Sequence, residues 1–184
     1  MIAQTFTLEQ AADAIGVAPD TLAEWRRDGR LEPTWTVKFE TDAEEAKEEA
    51  KPDPSAPLGL DEVFRGVLLQ ELTKVGLPPA RAEQVVEALG GGVGTMERNA
   101  EQLIAGSKQT YLFVQFCEGH YAIGETHLFS NPDLDIGLFI DYLAARPSER
   151  QNPDAEPAST VAVFCVGAAL HRALQKLGLT RGDQ

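Results

Sequence analysis

Residues 7–33, TLEQAADAIGVAPDTLAEWRRDGRLEP, constrain the fold more tightly than any other stretch, because helix-start and helix-stop signals follow one another through it in order. Thr7, with Gln10 three residues on, has the spacing of a capping box, in which each side chain accepts from the other residue's backbone N–H. Leu8, Ala11, Ala12 and Ile15 then recur at helical intervals and predict one apolar face. Gly16 follows, where a residue without Cβ takes the left-handed conformation cheaply. After a tight turn, Pro19 or Asp20 opens a second helix. In it Leu22 and Trp25 point one way, Glu24, Arg26 and Arg27 are left outside, and Gly29 ends the run.

Beyond Pro33, Trp35, Val37 and Phe39 alternate with Thr36, Lys38 and Glu40, the period of a strand with one buried face. Residues 41–57 then carry six carboxylates against two lysines, with nothing larger than alanine to bury, which predicts a solvated loop or short frayed helix. Order returns with Leu60, Val63, Phe64, Val67, Leu68 and Leu72 on one amphipathic helix that Gly76 ends. Pro78 or Pro79 starts its neighbour, whose face is Ala82, Val85, Val86 and Leu89.

Gly90–Gly94, GGGVG, cannot hold a helix and marks a boundary. After it MERNAEQLIAG reads as one more short helix, and TYLFVQFCEGHYAIGETHLFS as a hairpin split at Glu118-Gly119. DIGLFIDYLAA fits a strand-like run entering a helix as well as a helix outright. TVAVFCV predicts a buried strand, and GAALHRALQKLGL a closing helix with Leu170, Leu174 and Leu177 inward. The expected organisation is α+β: residues 1–90 as one unit, with the acidic insertion 41–57, and residues 95–184 as a small mixed α/β unit for dimerisation or sensing.

The 184 residues carry a net charge of −13, which opposes loose adhesion to nucleic acid and anionic membranes but leaves room for a local basic face. No secretory leader and no segment of about 20 apolar residues is present, so a cytoplasmic protein with no membrane partner is expected. Cys117 and Cys165 lie in apolar runs, where a thiol behaves as a small buried hydrophobe, and a reduced, structural role is expected for both.

Residues 7–33 resemble the winged helix-turn-helix of the MerR-like and excisionase-like proteins through the Thr-Leu opening, Ala11-Ala12, Ile15-Gly16-Val17, Thr21-Leu22, Trp25, Gly29, Leu31 and Pro33. VGLPPARAEQVVEAL is similar to the turn and second helix that follow the wing in MerR-type proteins, so the resemblance spans Met1 to Leu89. It implies a DNA-binding transcriptional regulator of bacterial or phage type, with the second helix in the major groove of double-stranded DNA. Carried over residue by residue, it implies that Thr21 bonds a phosphate, that Arg26 and Arg27 supply cationic contacts, and that Arg30 and Lys38 bracket the wing; Leu22 and Trp25 would be core.

This chain departs from the pattern. Asp20 and Glu24 stand on the outward side of the recognition helix, the wing lacks an Arg-x-Tyr, and no long heptad helix follows Leu89. Through Glu40 there are seven carboxylates against four cations, so a homodimer, with the carboxy-terminal sheet as the candidate interface, or a neighbouring protein is needed for tight binding. The alternative is a protein–protein interaction module that uses the acidic surface, or a phage DNA-packaging small subunit on the same fold.

No nucleophile motif, phosphate loop or dinucleotide fingerprint is readable, and neither enzymatic activity nor a cofactor is expected. The spacing Cys117, His120, His127 suits a soft metal in ligand type, but a closed site needs a fourth ligand. The simpler reading, a thiol and two hairpin histidines, is adopted, and Asp133 with Asp135 is read as a solvated turn.

Overall fold

The computed structural model describes residues 5–31, 56–89, 110–116, 123–129, 135–145 and 160–180. The strand expected around Trp35–Phe39, with Lys38, nearly all of the acidic insertion, the glycine run, the short helix after it, Cys117 and His120 lie outside these residues. Within them the chain is mixed α and β. The elements are β1 (Thr5–Phe6), α1 (Leu8–Ile15), α2 (Pro19–Arg27), β2 (Leu58–Gly59), α3 (Leu60–Lys74), α4 (Pro79–Ala88), β3 (Tyr111–Phe116), β4 (Ile123–Phe129), α5 (Ile136–Ala145), β5 (Thr160–Cys165) and α6 (Gly167–Lys176). DIGLFIDYLAA is thus helical throughout its Ile136–Ala145 span.

Local signals act as read. The Thr7 hydroxyl accepts from Gln10 N–H at 3.2 Å, and the Gln10 side chain accepts from Thr7 N–H at 3.0 Å. Gly16 closes α1 at φ 86°, and Gly29 follows α2 at φ 73°, both in the left-handed region. A feature that no local signal announces then joins distant parts of the chain. The start of the described chain pairs antiparallel with the residues before α3, Thr5 opposite Gly59 and Phe6 opposite Leu58.

Helix α3 is the centre of the packing. Val63 to Leu69 are buried without interruption, as expected of a helix surrounded by others rather than lying on a surface. It packs on α1, α4 and α6. Where it crosses α1, the chain needs Gly66: a Cβ there would lie 2.5 Å from Ile15 Cδ1.

Strand β3 lies between β4 and β5 and is antiparallel to both. Its side chains alternate between two covered faces. Leu112 and Val114 join the core beneath, with Leu128 of β4. Phe113 faces the other way, buried under α5, where the Phe139 ring meets it edge-on with centroids 4.7 Å apart. Strand β5 is less covered than its apolar sequence predicts. Val161 to Phe164 are half-buried, and Cys165 is exposed, which corrects the expectation of a buried thiol. The physical reason is its position in the sheet, where among the described residues it has one strand neighbour, β3.

The closing helix carries Leu170 and Leu174 fully inward, as its spacing predicts. It packs on α1 and α3, so apolar side chains from both sides of the glycine run enter one core. At the surface, Lys176 Nζ donates to the Asp13 carbonyl at 2.6 Å and its carboxylate at 2.9 Å, tying α6 to the last turn of α1.

Candidate nucleic-acid interface

Helix α2 is the element on which duplex contact would depend. Its outward side is set by helical geometry: Asp20, Glu24 and Arg27, four and then three residues apart, fall on one face, and all three are exposed. Leu22 is fully buried and Trp25 packs partly buried against the core, the roles expected of them. Thr21 lies half-buried in the first turn.

Arg26 is not left outside the helix as its spacing suggested. It stands one turn beyond Leu22, on the inner side of the helix, and is 7% exposed. Its guanidinium donates to the carbonyl of Ala56 through Nη1 and to that of Pro57 through Nη2, the latter at 3.4 Å. Nε lies 3.4 Å from Glu62 Oε1, within ion-pair distance though outside hydrogen-bond geometry. Glu62 is shared, since its Oε2 accepts from Gly59 N–H at 2.8 Å and caps α3. Arg26 therefore bolts the residues before α3 to the side of α2. A planar fork with several donors suits two adjacent backbone carbonyls, and one side chain reaches both at once. In the folded chain this guanidinium is engaged by internal groups.

Arg30 is engaged too, but differently. Its N–H donates to the Trp25 carbonyl at 2.9 Å, finishing the turn after α2. Its side chain bridges two carboxylates, Nη2 to Asp28 Oδ2 at 3.1 Å and Nη1 to Glu83 Oε1 at 3.0 Å, the second reaching across to α4. All three groups keep contact with solvent, at 32%, 40% and 33% side-chain exposure. Arg27 is exposed with no partner among the described residues. Of the five residues singled out from sequence, then, α2 and its following turn bring four together: one is half-buried, one spent internally, one bridged and one free. Lys38 lies outside the described residues.

Sequence reasoning missed Glu62 and Glu83. Glu62 was within reach, because a glutamate three residues after Gly59 has cap spacing. Glu83 had no local signal, since its role depends on how α4 lies against the end of α2.

Elsewhere, Arg65 is buried in α3, with Nε 2.9 Å from Asp61 Oδ2 and Nη1 donating to the Val86 carbonyl at 3.3 Å, a second internal bolt. His127 stacks edge-on against Phe139 at 5.6 Å. Among the described residues no three His, Cys, Asp or Glu side chains gather where they could hold a metal, and no helix is long and apolar enough to cross a membrane. No protein-family model matches the chain, and no curated protein matches it.

Proposed function

We propose that this chain is a protein-interaction module built on a helix-turn-helix scaffold of the winged, MerR-like kind, and that the outward side of α2 receives a basic protein partner. The observation that carries the reading is the charge of that side: Asp20 and Glu24 against Arg27, with the neighbouring Arg26 turned inward onto carbonyls. Carboxylates at this position repel phosphate and accept well only from donors such as lysine, arginine or cytosine amino groups. The net charge of −13 extends the same preference over long range, steering cationic partners inward and duplexes away.

The test is affinity capture on the intact chain after nuclease treatment, repeated with Asp20→Lys/Glu24→Lys. A stoichiometric cationic partner retained by the wild type and lost by the charge-reversed variant is the expected result. A partner that ignores the reversal, or none, removes the reading.

A second reading, that of a DNA-binding regulator, is favoured by one observation. Arg27 is exposed and has no partner among the described residues, on the same side, with Thr21 in the first turn of the same helix. A footprint on fragmented genomic DNA at low salt that disappears with Arg27→Ala would move this reading to first place.

A further inference from the structure

We infer that β5 is the interface with a second copy of this chain, the two strands pairing antiparallel, edge to edge, about a two-fold axis at Val163. The inference goes beyond the interaction reading and does not depend on it, because that reading rests on α2.

Backbone geometry sets the edge. Strand β5 pairs with β3 on one side, and among the described residues no strand lies on its other side. Just past its end, Val166 N–H donates to the Thr110 carbonyl at 3.0 Å, continuing the register in which Tyr111 lies opposite Cys165. Backbone groups alternate sides along a strand, so those of Ala162 and Phe164 turn toward β3 while those of Val161, Val163 and Cys165 turn to the open edge. Natural edge strands are guarded against pairing by charged side chains, proline or bulges. The sequence of β5, TVAVFC, contains no charged residue and no proline. Strand β4, at the opposite edge, differs: it contains Gly124 and Glu125, and its pairing with β3 slips between Val114 and Phe116. One edge is guarded and the other is not.

Charge favours a second copy as the occupant. A net charge of −13 holds copies apart wherever carboxylates face each other, and an uncharged strand is where they can approach. A two-fold axis at Val163 sets Val161 of each copy opposite Cys165 of the other and Val163 opposite itself, so all three outward N–H and C=O pairs find partners in one register. Such an axis stands perpendicular to the sheet, which leaves the α5 helices of both copies on the same face of the joined sheet. Helix α5 packs over β3 and β5, and its exposed Leu138 offers apolar surface there. A strand edge and part of one helix make a small interface, so a dimer of micromolar strength is expected rather than an obligate one.

Size-exclusion chromatography with light scattering on the full chain, over a concentration series, tests this. The wild type is expected to approach twice the chain mass at high concentration and to return to the single mass on dilution. Val163→Pro removes an outward N–H that β3 does not use, a change an edge strand tolerates, and is expected to stay at the single mass with an unchanged far-UV melt. Val161→Cys places a thiol opposite Cys165 of the partner subunit, and copper-phenanthroline oxidation is expected to give a covalent dimer on a non-reducing gel that disappears when Cys165→Ser is added. A wild type that keeps the single mass at every concentration overturns the inference, as does a dimer that survives Val163→Pro. If that variant fails to fold, absence of the Cys165-dependent cross-link overturns it instead.

Discussion

Replacing Arg26 by alanine separates a structural guanidinium from a nucleic-acid contact more sharply than any binding assay. The substitution strips donors from the Ala56 and Pro57 carbonyls and leaves Glu62, at 24% side-chain exposure, without its counter-charge. A hydrogen bond to a charged group is worth about 1.5–3 kcal/mol, and removing one member of a buried ion pair costs about 3–5 kcal/mol. These terms end on one side chain and do not add, and Glu62 recovers some hydration when the arginine goes. We therefore expect a loss of about 3 kcal/mol, which for a chain of this length lowers the melting temperature by roughly 6–12 °C. Urea unfolding followed by far-UV circular dichroism measures it, with a lower midpoint at unchanged slope as the signature. Arg27→Ala, one residue on, is the control and leaves the midpoint where it was. Glu62→Gln combined with Arg26→Ala should cost less than the two single changes together, because both report the same contact. Should Arg26→Ala prove as harmless as Arg27→Ala, the guanidinium would have to stand in solvent in the folded protein. It would then rejoin the cations available to phosphate, and the argument for an acidic, protein-binding α2 would lose its main support.

Two further expectations concern the packing that holds α2 in place. Gly66→Ala forces a methyl against Ile15, and overpacking of this kind costs about 1–3 kcal/mol; Ile15→Val, which deletes the offending Cδ1, should recover part of that loss in the double variant, and failure to do so in thermal melts would mean that the α1–α3 crossing is looser than described. Leu170→Ala, at a fully buried position in α6, should cost about 2–5 kcal/mol; because α6 packs on α1 and α3, the loss should appear in one cooperative unfolding transition, and a separate early transition would show that the carboxy-terminal elements unfold on their own.

Helix boundaries before the glycine run were legible because their causes are local. A hydroxyl three residues from an amide side chain, a proline in the first turn and a glycine just past the last one act over a few bonds, and Thr7, Gln10, Pro79, Gly16 and Gly76 did what their types require. Inner faces were legible for the same reason: Ala82, Val85 and Val86, or Leu170 and Leu174, are buried at the intervals that one helical turn sets. The hairpin pairing of β3 with β4 followed from two β-rich runs and a break.

What the amino-acid order could not say is where a flexible cation ends up. Arg26 and Arg27 are adjacent and chemically identical, yet one is bolted to carbonyls some thirty residues away and the other is exposed with no partner among the described residues. That difference arises because β1 pairs with β2 and carries Ala56 and Pro57 beside α2, a long-range closure with no signature in either segment alone. The exposure of Cys165 and the bridge from Arg30 to Glu83 have the same origin: each is settled by which element arrives from elsewhere in the chain to cover, or leave uncovered, a side chain whose own neighbours are silent on the matter. Sequence determined most of the helices and the hairpin β3–β4; tertiary packing decided which charges face a partner.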